Sequence, residues 1–191
     1  MFAENLTNSE INELPLSQFG GGVFVIDTFE KLDDYLPLIK NQNILGFDTE
    51  TRPSFKKGKI NPVSLLQLTT STQAFLIRLN KLGLPEEIKE ILADEKVLKV
   101  GLAIKDDIKI LQNINFFAPE SFLDLQDYVG AFGIEARSLK KITAIVLNKR
   151  ISKSQQVSNW DREELSDGQK LYAATDAWAC LQIYKNLNHK I

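Results

Sequence analysis

The chain has 191 residues, 43% of them hydrophobic and 25% charged, which predicts one soluble globular domain with a sizeable core. A net charge of −2 and a pI near 5.6 exclude a general polybasic nucleic-acid binder but leave room for a local basic path. The single cysteine, Cys180, excludes an internal disulfide and predicts a reducing, cytoplasmic setting; with His189 as the lone histidine, a zinc site of the usual ligands and a His-activated nucleophile are both disfavoured.

Residues 1–22 are polar and end in Gly20-Gly21-Gly22, which predicts a loosely held arm ahead of a domain over 23–191. Its first residues, Met1-Phe2-Ala3-Glu4-Asn5, lack the basic-then-apolar pattern of a signal peptide, and no apolar run reaches membrane-spanning length. Val23 to Ile26 reads as a short strand. Asp27 with Glu30 has the spacing of a capping box and predicts a helix to about Ile39. Ile44 through Phe47 is an apolar run without alternation, as expected of a strand covered on both faces. Arg52 to Pro62 reads as a loop carrying Lys56, Lys57 and Lys59. Val63 to Leu68 and Ala74 to Leu79 flank Ser71-Thr72-Gln73 as a hairpin. A helix over Pro85 to Ala93, a strand over Val97 to Val100, and helices over Ile104 to Asn113, Leu123 to Phe132 and Ser138 to Leu147 follow. After a loop from Asn148 to about Leu165, Ser166 and Gln169 cap a long helix reaching about Asn188. Strands interleaved with helices predict a layered α/β domain.

Chemistry-bearing residues sit at the ends of three of these elements. The central strand runs on into Asp48-Thr49-Glu50. Period-two geometry puts Asp48 and Glu50 on one side and Thr49 on the other. Two neighbouring carboxylates repel, and a divalent cation with oxygen ligands compensates them; solvated acids at an ordinary strand end are the alternative. On the last helix, Tyr172 and Asp176 are four apart, on the stripe that continues through Cys180, Ile183 and Leu187. An acid on an inward stripe needs a partner, either a metal or a Tyr–Asp hydrogen bond that only fixes packing. On the helix from Ile104, Asp107 falls in with Ile104, Ile108 and Leu111, whereas Asp106 falls in with Lys109 and Asn113. Periodicity favours Asp107 as the inward acid, against a reading of both as solvated first-turn acids. Converging, these segments would build a two-metal site with ions roughly 3.5–4 Å apart, suited to in-line phosphoryl displacement.

The segments Phe47-Asp48-Thr49-Glu50, Gly101 to Asp107, and Tyr172-Ala173-Ala174-Thr175-Asp176-Ala177 resemble the three motifs of the DEDDy 3′–5′ exonucleases. Val63-Ser64-Leu65-Leu66-Gln67-Leu68, Ser158-Asn159-Trp160 and Gln169-Lys170-Leu171-Tyr172 are similar to the Werner syndrome exonuclease and ribonuclease D branch. The resemblance covers about Val23 to Leu187. It implies a ribonuclease H-like fold, a mixed central sheet flanked by helices, and hydrolysis of phosphodiester bonds at a free 3′ end of DNA or RNA. It also implies two Mg²⁺ or Mn²⁺ ions. Asp48 would bridge both, Glu50 and Asp176 would complete the site of the ion that activates water, and Asp107 would support the second ion through water. Tyr172 stands where the family places the residue that orients the attacking water. Thr49 and Glu50 lie where the terminal nucleotide sits. Lys56, Lys57 and Lys59, with Lys140-Lys141 and the run from Lys149 to Lys153, are candidates for tracking the phosphate backbone. Trp160 either stacks on a base or anchors its loop. The competing function is a non-catalytic nucleic-acid-binding module on the same fold.

Overall fold

The apolar run from Ile44 becomes the centre of a six-stranded mixed sheet. The computed structural model describes residues 2–53 and 61–189, so Lys56, Lys57 and Lys59 lie outside the described residues. In chain order the elements are α1 (Asn8–Glu13), β1 (Gly22–Ile26), α2 (Phe29–Lys40), β2 (Ile44–Thr51), β3 (Val63–Thr69), β4 (Gln73–Ile77), α3 (Leu79–Leu82), α4 (Glu86–Leu92), β5 (Leu98–Gly101), α5 (Lys105–Ile114), β6 (Phe122–Asp124), α6 (Leu125–Tyr128), α7 (Leu139–Leu147) and α8 (Asp167–Asn188). A 3₁₀ turn at Val129–Phe132 extends α6. The strand order is β1-β4-β3-β2-β5-β6, with β3 antiparallel to both neighbours and the other pairings parallel. This is the mixed sheet flanked by helices that the sequence predicts.

Alternation along β2 divides its side chains between two cores. Leu45 and Phe47 enter an apolar cluster with Leu66, Leu68, Ile104 and Leu111, beneath α2, α4 and α5. Ile44 faces the other way, into the cluster of α7 and α8. On that second face Gly46 is a packing requirement. A Cβ there would collide with the carbonyl of Ala177 and the hydroxyl of Thr69, so α8 lies against the bare backbone of β2. Ala173, Ala174 and Ala177 are fully buried along this seam, where their small size permits the approach. Gly101 does the same at the end of β5, where an added Cβ would sit 2.8 Å from the Phe47 carbonyl oxygen.

Three expectations need correction. The segment before β1 is tied down rather than loose. It contains α1 with the capping box of Thr7 and Glu10, Ile11 and Phe19 are buried, and the Phe19 N–H donates to the Thr175 hydroxyl at 3.0 Å. Isolated apolar residues in a polar stretch are weak signals, yet each fills a pocket in the domain. Helix α2 is capped by Thr28, not Asp27; the Thr28 hydroxyl accepts from Lys31 N–H, while Asp27 pairs with the Lys31 ammonium at 2.7 Å. Finally, Phe122–Asp124 is a strand paired with β5, and helix begins only at Leu125. Asp124 ends the strand because its side chain caps α6, accepting from Gln126 N–H at 3.0 Å.

Candidate active site

Asp48 and Glu50 leave β2 on the α8 face, as alternation requires. The strand pairing places Asp48 opposite Gln67 and Glu50 opposite Leu65, and the register then slips between Glu50 and Thr51. Such an irregularity ends regular pairing and re-aims the side chains beside it. From α8, Asp176 is brought down by the Gly46 seam and is almost fully buried. The result is a group of three carboxylates, Asp48, Glu50 and Asp176, each offering an oxygen within 4.8 Å of the others.

Their electrostatics are those of an uncompensated site. Burial, reinforced by the charges of Asp176 and Asp107, pushes the Asp48 carboxyl well above the ordinary carboxylate range. Burial beside Asp48 and Asp176 raises Glu50 to about 10. Asp176 rises to about 6 through burial, restrained by Lys153 and by a hydrogen bond with Tyr172. One oxygen of Asp176, Oδ1, is buried without a hydrogen-bond partner among the described residues. Hard oxygen donors that repel each other and lack donors of their own fit a divalent cation.

Asp107 arrives differently. Thr49 points to the opposite face of β2, with Phe47, and its hydroxyl donates to the Asp107 carboxylate. Asp107 therefore stands on the α5 side of the strand end, outside the three-acid group, though its charge is felt at Asp48. Burial raises its carboxyl, and the Thr49 hydrogen bond opposes the rise. Its neighbour Asp106 is exposed and paired with Lys109 at 3.1 Å. Sequence reasoning missed the residue that sets this helix in place. The Asp124 carboxylate accepts from Ala103 N–H at 2.9 Å and Ile104 N–H at 3.1 Å, holding the turn into α5. Ala103 is left-handed there (φ 58°), a strained conformation for a residue with a Cβ. An acid closing a three-residue strand gives no periodic signal by which to find it.

Tyr172 is buried against Trp160, ring centroids 6.0 Å apart. Burial and the charges of Asp176 and Glu50 push its phenol far up, so it stays protonated and serves as a hydrogen-bond donor. Trp160 is fully buried in a cluster with Leu65, Leu165, Tyr172 and Ala173. This corrects the expectation that it touches substrate: neither ring face is open to a base, and the residue braces Tyr172. The loop around it is fastened by Gln169, whose amide donates to the Ser158 hydroxyl at 2.9 Å and the Asn159 carbonyl at 3.1 Å. Ser64 donates to Asp161 at 2.7 Å. A cavity of about 270 Å³ opens over the acids, lined among others by Thr49, Leu102, Ser138, Lys153, Gln156 and Tyr172. Cys180 lies at its floor, fully buried with its thiol pushed well up by that burial, which rules it out as a nucleophile.

A mixed sheet with three carboxylates gathered between its central strand and its last helix defines a class of metal-dependent nuclease domain. A family model described as 3′–5′ exonuclease matches residues 23–191. The chain belongs to this DEDD-type 3′–5′ exonuclease family, in the branch of the Werner and ribonuclease D proteins. It is 31% identical over 191 residues to the mouse bifunctional 3′–5′ exonuclease/ATP-dependent helicase WRN, an alignment covering 93% of this chain and 13% of that protein. The chain spans less than half the length of the first curated relatives it matches. Among solved structures, the Aedes aegypti Nibbler EXO domain superposes with a TM-score of 0.79 at 27% identity, covering 91% of this chain and 94% of that one. Escherichia coli RNase D shares the fold, with a TM-score of 0.77 at 22% identity over 88% of this chain and 45% of that one.

Proposed function

We propose that this domain removes nucleotides from the free 3′ end of DNA or RNA by metal-dependent phosphodiester hydrolysis. The observation that carries the reading is the convergence of Asp48, Glu50 and Asp176 within 4.8 Å under an open cavity, with the Tyr172 phenol at its edge. Two ions, Mg²⁺ or Mn²⁺, fit the donor set: Asp48 is central to both, Glu50 and Asp176 hold one, and Asp107 supports the other. Bound there, such ions lower the pKa of water and neutralise charge on the leaving 3′ oxygen. The chain's own residues supply the rest. Tyr172, kept protonated and braced by Trp160, donates to and orients the attacking water. Thr49 and Glu50 flank the place of the terminal nucleotide, and Lys56, Lys57 and Lys59 track the backbone beyond it. Water adds at phosphorus, the bond to the 3′ oxygen breaks, and a nucleoside 5′-monophosphate leaves.

A cytoplasmic setting is part of this reading, supported by the single buried cysteine. Among the described residues no helix is long and apolar enough to cross a membrane.

The test is digestion of a 5′-labelled strand with Mg²⁺ or Mn²⁺, beside a circular single strand of the same sequence. The expected result is a ladder shortening from the 3′ end, an intact circle, and a loss of more than about 10³-fold in Asp48→Ala. Undiminished digestion by Asp48→Ala would overturn the mechanism. Binding without cleavage by the wild type would favour the non-catalytic module, and a cut circle would make the chain an endonuclease.

A further inference from the structure

Seven basic residues outside the 56–59 loop, Lys140, Lys141, Lys149, Arg150, Lys153, Arg162 and Lys170, surround the mouth region in sequence, and the fold assigns most of them elsewhere. Lys140 and Lys141 donate to Asn8 and Asn5 of the N-terminal segment. Arg150 donates through Nε to the Leu14 carbonyl at 2.9 Å, and its backbone bridges Leu16. Lys170 pairs with Asp167. Lys153 alone of these lines the cavity over the acids.

Its placement is built. The segment before it is fastened to the N-terminal arm: Ser17 N–H donates to the Arg150 carbonyl at 2.7 Å, Arg150 N–H donates to the Pro15 carbonyl at 3.0 Å, and Ile151 is buried. The segment after it is fastened by Gln169 at Ser158 and Asn159, and by buried Trp160. The short span between, turned by the Gln156 N–H donating to the Lys153 carbonyl at 3.3 Å, carries Lys153 into the cavity. The ammonium is half-buried and lies within electrostatic reach of Asp48, Glu50 and Asp176, yet among the described residues it closes no salt bridge with any of them. A half-buried lysine held near acids but short of contact leaves space for a third group between.

Charge balance says what that group is. Four acids, Asp48, Glu50, Asp107 and Asp176, are neutralised by two divalent ions. A phosphodiester entering the cavity then brings one further negative charge, and one cation is waiting for it. We infer that Lys153 is a substrate-contacting residue that binds a non-bridging oxygen of the scissile phosphodiester and, after cleavage, the 5′-phosphate of the released nucleotide. This inference rests on the exonuclease reading and deepens it by assigning the phosphate contact.

The experiment compares wild type, Lys153→Gln and Lys153→Arg on a 5′-labelled single strand across a salt titration, with folding checked by thermal melts. A second readout is inhibition by a nucleoside 5′-monophosphate against that by the matching nucleoside. Lys153→Gln is expected to raise KM by about 10–100-fold with a smaller change in kcat. It should also make the dependence of log kcat/KM on log salt shallower by about 0.7, the loss of one phosphate contact on a single strand. The same variant should lose the preference for the monophosphate over the nucleoside, and Lys153→Arg should restore both. If Lys153→Gln keeps the wild-type salt slope and monophosphate preference, Lys153 does not touch phosphate and the inference is overturned. A wild-type chain that leaves 3′ ends intact would overturn the exonuclease reading, and this inference with it.

Discussion

The two faces of β2 carry opposite kinds of chemistry. On the α5 face, Leu45 and Phe47 are sealed in an apolar core, and the polar residue that follows, Thr49, meets Asp107 in a hydrogen bond. On the α8 face, Gly46 gives up its side chain so that a helix can come close, and Asp48 and Glu50 are then gathered with Asp176 without a compensating charge in contact. One face is satisfied within the protein. The other is left to be satisfied by something that binds. A single strand serves both purposes because its side chains alternate, so stability and function are selected at different residues two ångström-scale steps apart along one backbone.

Substitutions can break this contrast, beginning where the effect is largest. Gly46→Ala puts a methyl group into the Ala177 carbonyl and forces α8 off the strand. The expected cost is about 3 kcal/mol, the upper end of overpacking effects, with cleavage lost even where the protein still folds. Chemical denaturation together with the 3′-end assay checks this; a variant of wild-type stability would show that the seam is loose. Next comes pH. Glu50 is raised from its ordinary 4.5 to about 10, and Asp176 from 3.8 to about 6. Between those values the folded, metal-free chain holds more protons than the unfolded chain, so stability present at low pH is lost as pH rises through that window. The melting temperature of chelator-treated protein should fall from pH 5 to 9, and Mn²⁺ should flatten the fall. A pH-independent melt without metal would mean that the three acids ionise separately.

The smallest pair of changes tests the α5 face. Asp107→Asn should reduce cleavage by about 10–100-fold, as for groups that act on a metal from outside its direct ligands. Asp106→Asn, on an exposed residue paired only with Lys109, should change it less than about twofold. Steady-state kinetics of the two variants side by side decide between them, and equal effects would dissolve the distinction between the inward and outward acids.

Local rules account for much of what was legible beforehand. The unbroken apolar run predicts a central strand at Ile44, and alternation predicts the shared side of Asp48 and Glu50. The stripe of Ile104, Ile108 and Leu111 picks out Asp107, and the Ser166–Gln169 capping box opens α8 where the structure has it. Where local rules failed, the decisive interaction was distant or the signal too short. β6 has three residues, too few to show a period, and was read as the start of a helix. Ile11 and Phe19 are single apolar residues in a polar stretch, meaningless until the surfaces they fill exist. Trp160 offered a stacking ring or a packing anchor, and only its neighbours Leu65 and Tyr172 make it the latter.

The sequence by itself determined the residue types of the site and the side of each element on which they lie, because helix and strand periods are properties of the local backbone. Tertiary structure alone decided how those sides meet. It brought Asp176 down on Asp48 and Glu50 across the bare backbone of Gly46, sent Asp107 to the strand end from the opposite face, and chose Lys153 from a crowd of basic residues. Those outcomes depend on close approach between segments far apart in the chain, which no local period encodes.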